Sequence, residues 1–187
     1  MSLSSHPPYD IPESRTWFET KEEVQFLNTA HYTDKYVGAI LDSLSQRPIW
    51  DDLLVILVAD HGCRFPGNSA YHIPEKFHIP IWFGGGAVAV DSTSETIVSQ
   101  NDIAASLLGE LNINNKAFEF SRNFFSADYK PSAYYAYNNG FGWIEPSCAR
   151  VFSNDKKEII LTEGSPQTDF NTAKAFLQKV LTVFESK

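Results

Sequence analysis

Seven apolar residues, Leu53–Ala59, run without a break and stop at Asp60-His61-Gly62. A short aliphatic run of this kind predicts a strand covered on both faces, the usual state of a central parallel strand. Upstream, Leu27, Ala30, Val37, Ile40, Leu41 and Leu44 recur at helical spacing. They predict a helix over about residues 20–45, with Glu19, Lys21, Glu22, Glu23, Lys35 and Asp42 on its wet side; Asp34, one turn from Gly38, can look inward, but the pattern favours a solvated Asp. Thr20 and Glu23 have the spacing of a capping box, and Pro48 ends the element. Helix, short loop and buried strand make half of a βαβ unit.

Pro80-Ile81-Trp82-Phe83 predicts another short strand, stopped by Gly84-Gly85-Gly86. The triple glycine has neither the lysine nor the spacing of a P-loop, so a flexible turn is preferred over an anion cradle. Ser99-Gln100-Asn101-Asp102 opens a second helix, with an Asx-type cap and an apolar face of Ile103, Ala104, Leu107, Leu108 and Leu111. Residues 118–125 are aromatic and loop-like. Beyond them, 133–137, 142–144, 149–152 and 158–161 alternate as strands, with turn residues between them. That pattern predicts an antiparallel meander, with Asn139-Gly140 its clearest hairpin signal. Ala173, Phe176, Leu177, Val180, Leu181 and Phe184 predict a helix over about 169–184. The fold class is therefore α/β, with a smaller α+β part at the end.

Composition narrows the function classes. A chain of 187 residues with 43% hydrophobic and 20% charged residues is an ordinary globular domain. The net charge of −8 argues against a nucleic-acid partner. Cys63 and Cys148 make neither a disulfide framework nor a zinc site. No apolar run reaches the roughly 20 residues of a membrane helix, and no signal peptide is visible. Met1-Ser2-Leu3 has the look of a short leader on a segment cut from something longer.

The candidate chemistry is carried by Asp60 and His61. A carboxylate and an imidazole at a strand's carboxyl end offer oxygen and nitrogen to a divalent metal. A plain chain-reversing turn has the same sequence pattern. His6 lies in Ser4-Ser5-His6-Pro7-Pro8-Tyr9-Asp10-Ile11-Pro12, where the prolines forbid a helix. Such a stiff loop can hold an imidazole for phosphate or sulfate, or it can be an exposed terminal segment. His72 and His78 both precede Ile-Pro. His72 reads as structural, and His78, just ahead of a strand, is open between a structural and a substrate-binding role.

Taken together, these residues resemble a known family. Tyr32-x-Asp34, Gly38, Leu41, Leu44, Trp50-Asp51-Asp52, Leu54-Val55 and Asp60-His61-Gly62 are similar, in order and spacing, to the C-terminal part of the sulfatase family. That family belongs to the alkaline phosphatase superfamily. The segment Ser4–Tyr9, His78-Ile79-Pro80 with Trp82 and Gly84, Gln100-x-Asp102-Ile103 and Leu107-Leu108 extend the likeness over about residues 4–125. Within the family the chain most resembles the sulfatase-like lipoteichoic acid synthases, which are phosphoglycerol transferases.

The resemblance implies an alkaline-phosphatase-like fold, with a mostly parallel sheet between helices over 1–125 and a small subdomain over 126–187. It implies a divalent cation (manganese, magnesium or calcium) held in part by Asp60 and His61. It gives His6 contact with the transferred group or leaving group, and His78 a place at the substrate. Nothing here matches the family's nucleophile or its first acidic ligand, so the chain is expected to supply half a site. Implied partners are sulfate or phosphate esters, glycerophospholipid or glycan among them. The parent is expected on the extracytoplasmic face of a bacterial membrane or in the periplasm, anchored by an upstream segment. The alternative class is a non-catalytic module using the aromatic region Tyr134–Trp143 for glycan or partner contacts. The sulfatase reading also sets a geometry. Asp60 and His61 should cap the strand, with His6 on the order of 10 Å from His61, since metal–ligand bonds are near 2 Å and the transferred group must fit between. His78 should approach the same edge if it has a role, and His72 should not.

Overall fold

A computed structural model describes residues 5–63, 65, 67 and 70–186. Residues 1–4, Arg64, Pro66, Asn68 and Ser69 of the loop after Cys63, and Lys187 lie outside the described residues. The chain divides into two compact units. One comprises residues 1–69 and 76–92, the other 70–75 and 93–187. In this division the second helix goes with the C-terminal strands.

The first unit holds helix α1 (Glu22–Ser45), a 3-10 turn (Pro48–Asp52), and strands β1 (Val55–Val58) and β2 (Ile81–Gly84). The expected capping box is not formed. The cap residue is Lys21, whose carbonyl accepts from the amides of Val24 and Gln25, and no side chain caps the helix. Asn28, 2% exposed, instead fastens the preceding loop to the helix. Its Oδ1 accepts from the Thr16 and Trp17 amides, and its Nδ2 donates to the Trp17 and Val24 carbonyls. Glu13 adds a second tether, accepting from Lys35 Nζ at 2.7 Å and from the Tyr36 hydroxyl. These two donors hold the Glu13 carboxyl below its ordinary range.

The parallel arrangement expected for Leu53–Ala59 is not what pairs here. β1 is four residues long and runs antiparallel to β2, with Val55 opposite Gly84 and Val58 opposite Ile81. A parallel pair needs a long crossover, normally a helix. Among the described residues, the connection between these strands contains only the short 3-10 turn Pro74–Phe77. Leu57 shares a face with Trp82, and Val58 shares the other with Ile81. Trp82 is 42% and Val58 40% exposed, so both faces of this two-stranded sheet carry open apolar surface. The glycine run is a turn packed against the segment ahead of β1. Gly86 N donates to the Trp50 carbonyl, Ala87 N donates to that of Leu53, and a Cβ on Gly85 would stand 2.1 Å from the Leu53 oxygen.

The second unit holds α2 (Asp102–Glu110), the meander β3 (Ala133–Tyr137), β4 (Gly140–Glu145), β5 (Cys148–Ser153), β6 (Glu158–Gly164), and α3 (Asn171–Glu185). The strands pair antiparallel in sequence order, as the alternation predicted. The first hairpin turns on Asn138-Asn139, since Tyr137 pairs with Gly140. Asn139 takes the positive φ and Gly140 is already strand. One sheet face packs on α3 through Phe141, Trp143, Phe170 and Ala173, with Tyr134, Phe152, Phe176 and Leu177 around them. On the other face Tyr135 covers Gly142 and Tyr137 covers Gly140. A Cβ on either glycine would meet the tyrosine ring within 2.3 Å.

No Asn101 side chain caps α2. Asp102, fully buried, turns its carboxylate back to accept from the Ser99 amide, and also from Arg122 and the Tyr129 hydroxyl. This network ties α2 to the 118–132 segment, which is the physical reason α2 belongs to this unit.

Candidate active site

Asp60 and His61 follow β1 after a single residue, Ala59. Asp60 Oδ1 accepts from the His61 amide at 3.0 Å. His61 Nδ1 lies 2.8 Å from the Gly62 carbonyl oxygen, which can only accept, so Nδ1 carries the proton. The lone pair is then on Nε2, the tautomer suited to metal ligation. Nε2 and Asp60 Oδ2 are 3.9 Å apart, within the reach of one ion about 2 Å from each donor. Their side chains are 66% and 58% exposed, so the pair adds little stability and is open to a ligand. Among the described residues, no group of three His, Cys, Asp or Glu side chains could hold a metal. The donor chemistry fits a divalent ion, with two ligands supplied from here.

Gly62 is required by packing. A Cβ there would stand 1.6 Å from the Lys76 carbonyl oxygen. The third residue of Asp-His-Gly is therefore fixed by the returning chain ahead of β2. That return also places His78: Val58 opposite Ile81 brings the start of β2 to the end of the sheet where β1 finishes. His78, three residues before β2, is exposed at that same end.

His6 meets the same cluster. Its ring centroid lies 6.0 Å from that of His61, edge to face. Sequence reasoning missed what puts it there. Tyr9 N donates to the His6 carbonyl at 2.9 Å, closing a tight turn. Tyr9 is buried, with φ of 59°, and its ring lies edge-on to Phe26 of α1 at 6.2 Å and to Phe65 at 6.5 Å. A buried aromatic following the His-Pro-Pro segment was the available signal.

His72 belongs to the second unit, where its ring packs 5.9 Å from Tyr137 and its carbonyl accepts from the Tyr135 hydroxyl. The aromatic region Tyr134–Trp143 is taken up by packing. Phe141 stacks on Phe170 at 5.6 Å, and Tyr134 and Trp143 pack on Phe176 at 5.0 and 5.9 Å.

The Asp-His-Gly turn and a histidine from a proline-stiffened loop thus lie together past the end of β1, which is an antiparallel strand and not the central parallel one that the resemblance implied. The chain belongs to the sulfatase family, whose model matches residues 1–113. Its fold is that of the alkaline phosphatase superfamily. It is similar to the crystal structure of a protein in the alkaline phosphatase superfamily from Vibrio parahaemolyticus, with a TM-score of 0.72 at 22% identity. The likeness covers 91% of this chain and 43% of that one, so the chain spans less than half the length of the protein it matches.

Proposed function

We propose that this chain is the C-terminal part of a metal-dependent sulfatase-like hydrolase or phosphoglycerol transferase acting on sulfate or phosphate esters. The single observation that carries the reading is the meeting of His6 and His61 at the end of β1, beside Asp60. Asp60 Oδ2 and His61 Nε2 would hold a manganese, magnesium or calcium ion, with the remaining ligands and the nucleophile supplied from outside residues 1–187. Such an ion neutralises charge on the transferred group and activates the nucleophile.

The chain's own residues do the rest. Gly62 fixes the His61 tautomer through its carbonyl. His6 binds an oxygen of the sulfuryl or phosphoryl group, or gives a proton to the leaving oxygen. His78, at the same end of the sheet, contacts the remainder of the substrate. The open apolar surface on both faces of β1–β2 supports completion by more polypeptide, because a two-stranded sheet is marginal in water on its own.

Within the family, the Ser5-His6-Pro7-Pro8-Tyr9 segment favours the lipoteichoic acid synthase branch. The substrate would then be a phosphoglycerol lipid, and the parent would work on the extracytoplasmic side of a bacterial membrane, held by an upstream anchor. Among the described residues no helix is long and apolar enough to cross a membrane.

The test is turnover by the longest protein the gene encodes, assayed on aryl sulfate, aryl phosphate and phosphoglycerol lipid with manganese or magnesium. Loss of turnover in both Asp60→Ala and His61→Ala is expected. Full activity in Asp60→Ala would overturn the reading.

A further inference from the structure

We infer that Tyr9 is a positioning residue that holds His6 against His61. The inference rests on the functional reading above only for the purpose it gives His6; the geometry stands by itself. His6 lies on an exposed segment outside any helix or strand. Three observations show what holds it in place. The Tyr9 amide donates to the His6 carbonyl, so the two residues form one turn. The Tyr9 side chain is 5% exposed, the only hydrophobic residue among the described positions of the first unit buried to this degree. Its ring is fixed by Phe26 of α1 and Phe65 of the loop after Asp-His-Gly, rings that also meet each other at 5.5 Å.

Phe65 carries the coupling further. It lies four positions beyond His61, so the pocket that grips Tyr9 is built partly from the loop that carries the Asp-His pair. Tyr9 also holds a left-handed backbone, φ 59°, which non-glycine residues seldom adopt. A position with no need of a side chain would favour glycine there. The ring is what the conformation serves: it anchors the turn from inside while His6 projects from the other end of it.

The test uses the 187-residue chain with labelled histidines. In the wild type, a nuclear Overhauser effect between the His6 and His61 ring protons is expected, and added Mn²⁺ should broaden both rings. Tyr9→Phe should keep both signals. Tyr9→Ala should lose the Overhauser effect and the broadening at His6, while His61 still broadens and the resonances of β3–β6 stay in place. Phe65→Leu, a milder change in the same pocket, should weaken the Overhauser effect and covers the case in which Tyr9→Ala does not fold. Persistence of the Overhauser effect in Tyr9→Ala, its loss in Tyr9→Phe, or its absence from the wild type would overturn the inference. Failure of Mn²⁺ to broaden His61 would instead count against the metal pair and leave the Overhauser comparison to decide the role of Tyr9.

Discussion

The imidazole of His6 stands 6.0 Å from that of His61, although all of α1 and β1 lie between them in the sequence. Two imidazoles at that spacing leave room for an anionic group at one and a metal at the other. The consequence is quantitative for the whole protein. If His6 supplies proton transfer or its equivalent, His6→Ala should lower kcat by about 10²–10⁴-fold. The substrate Kd should move far less, as measured by steady-state and single-turnover kinetics on the parent.

The isolated chain should not turn over sulfate or phosphate esters, because two ligands do not close a coordination shell. Calorimetric titration with manganese should show no saturable heat at micromolar metal. Robust hydrolysis by residues 1–187, abolished in His61→Ala, would show that the site is complete without other polypeptide.

Gly62→Ala should be felt strongly for so small a change. The added methyl meets the Lys76 carbonyl at 1.6 Å, and the neighbour is backbone, so the chain must shift. A loss of about 1–3 kcal/mol is expected in the thermal unfolding of the first unit. The His6–His61 contact should loosen with it. An unchanged melting curve would mean that the segment ahead of β2 yields freely.

Asp102→Asn keeps the shape but removes the charge that Arg122 answers. Asp102 is fully buried, whereas the Arg122 side chain is 39% exposed and can regain water. The cost should therefore fall below that of a fully buried broken pair, on the order of 2–3 kcal/mol by denaturant unfolding. A neutral result would show that Tyr129 and Ser99 alone hold the carboxylate's place.

Tyrosine ionisation gives a test by pH. Burial pushes the hydroxyls of Tyr129, Tyr134, Tyr135 and Tyr137 above the ordinary value of 10.0. A pKa raised in the folded state means that the stability from the neutral hydroxyl is complete below pH 10 and is lost as pH rises beyond it. Tyrosinate absorbance should rise in two stages, with the second coinciding with unfolding of the second unit. A single step near pH 10 would contradict the burial of these rings.

The sequence was most legible where one face of an element is buried and the other is wet. The meander and α3 followed from alternation and helical spacing, and both elements have a core to pack on. The strand Val55–Val58 was legible as a strand but not in its pairing, because an unbroken apolar run says that both faces want cover and says nothing of direction. The Asp-His pair was legible from residue type at a strand end. The anchor of His6 was not, since Tyr9 finds its partners, Phe26 and Phe65, only after the chain has folded back. The Asp102 network escaped for a similar reason: a carboxylate at a helix start reads as a cap until Arg122 arrives from beyond the helix.

The glycines under Tyr135 and Tyr137 have a consequence for alignment. In the observed pairing each ring lies over a residue with no side chain. Shifting β3 by one position would set Tyr135 against Phe141 or Trp143, where there is no room. Shifting it by two would set Tyr135 over the branched Ile144 or carry Tyr137 off the strand into the turn. Glycine, ordinarily a weak point in a strand, is here a pair of notches that admits its partner in a single frame. Filling one notch should produce misaligned hairpins as well as a less stable one.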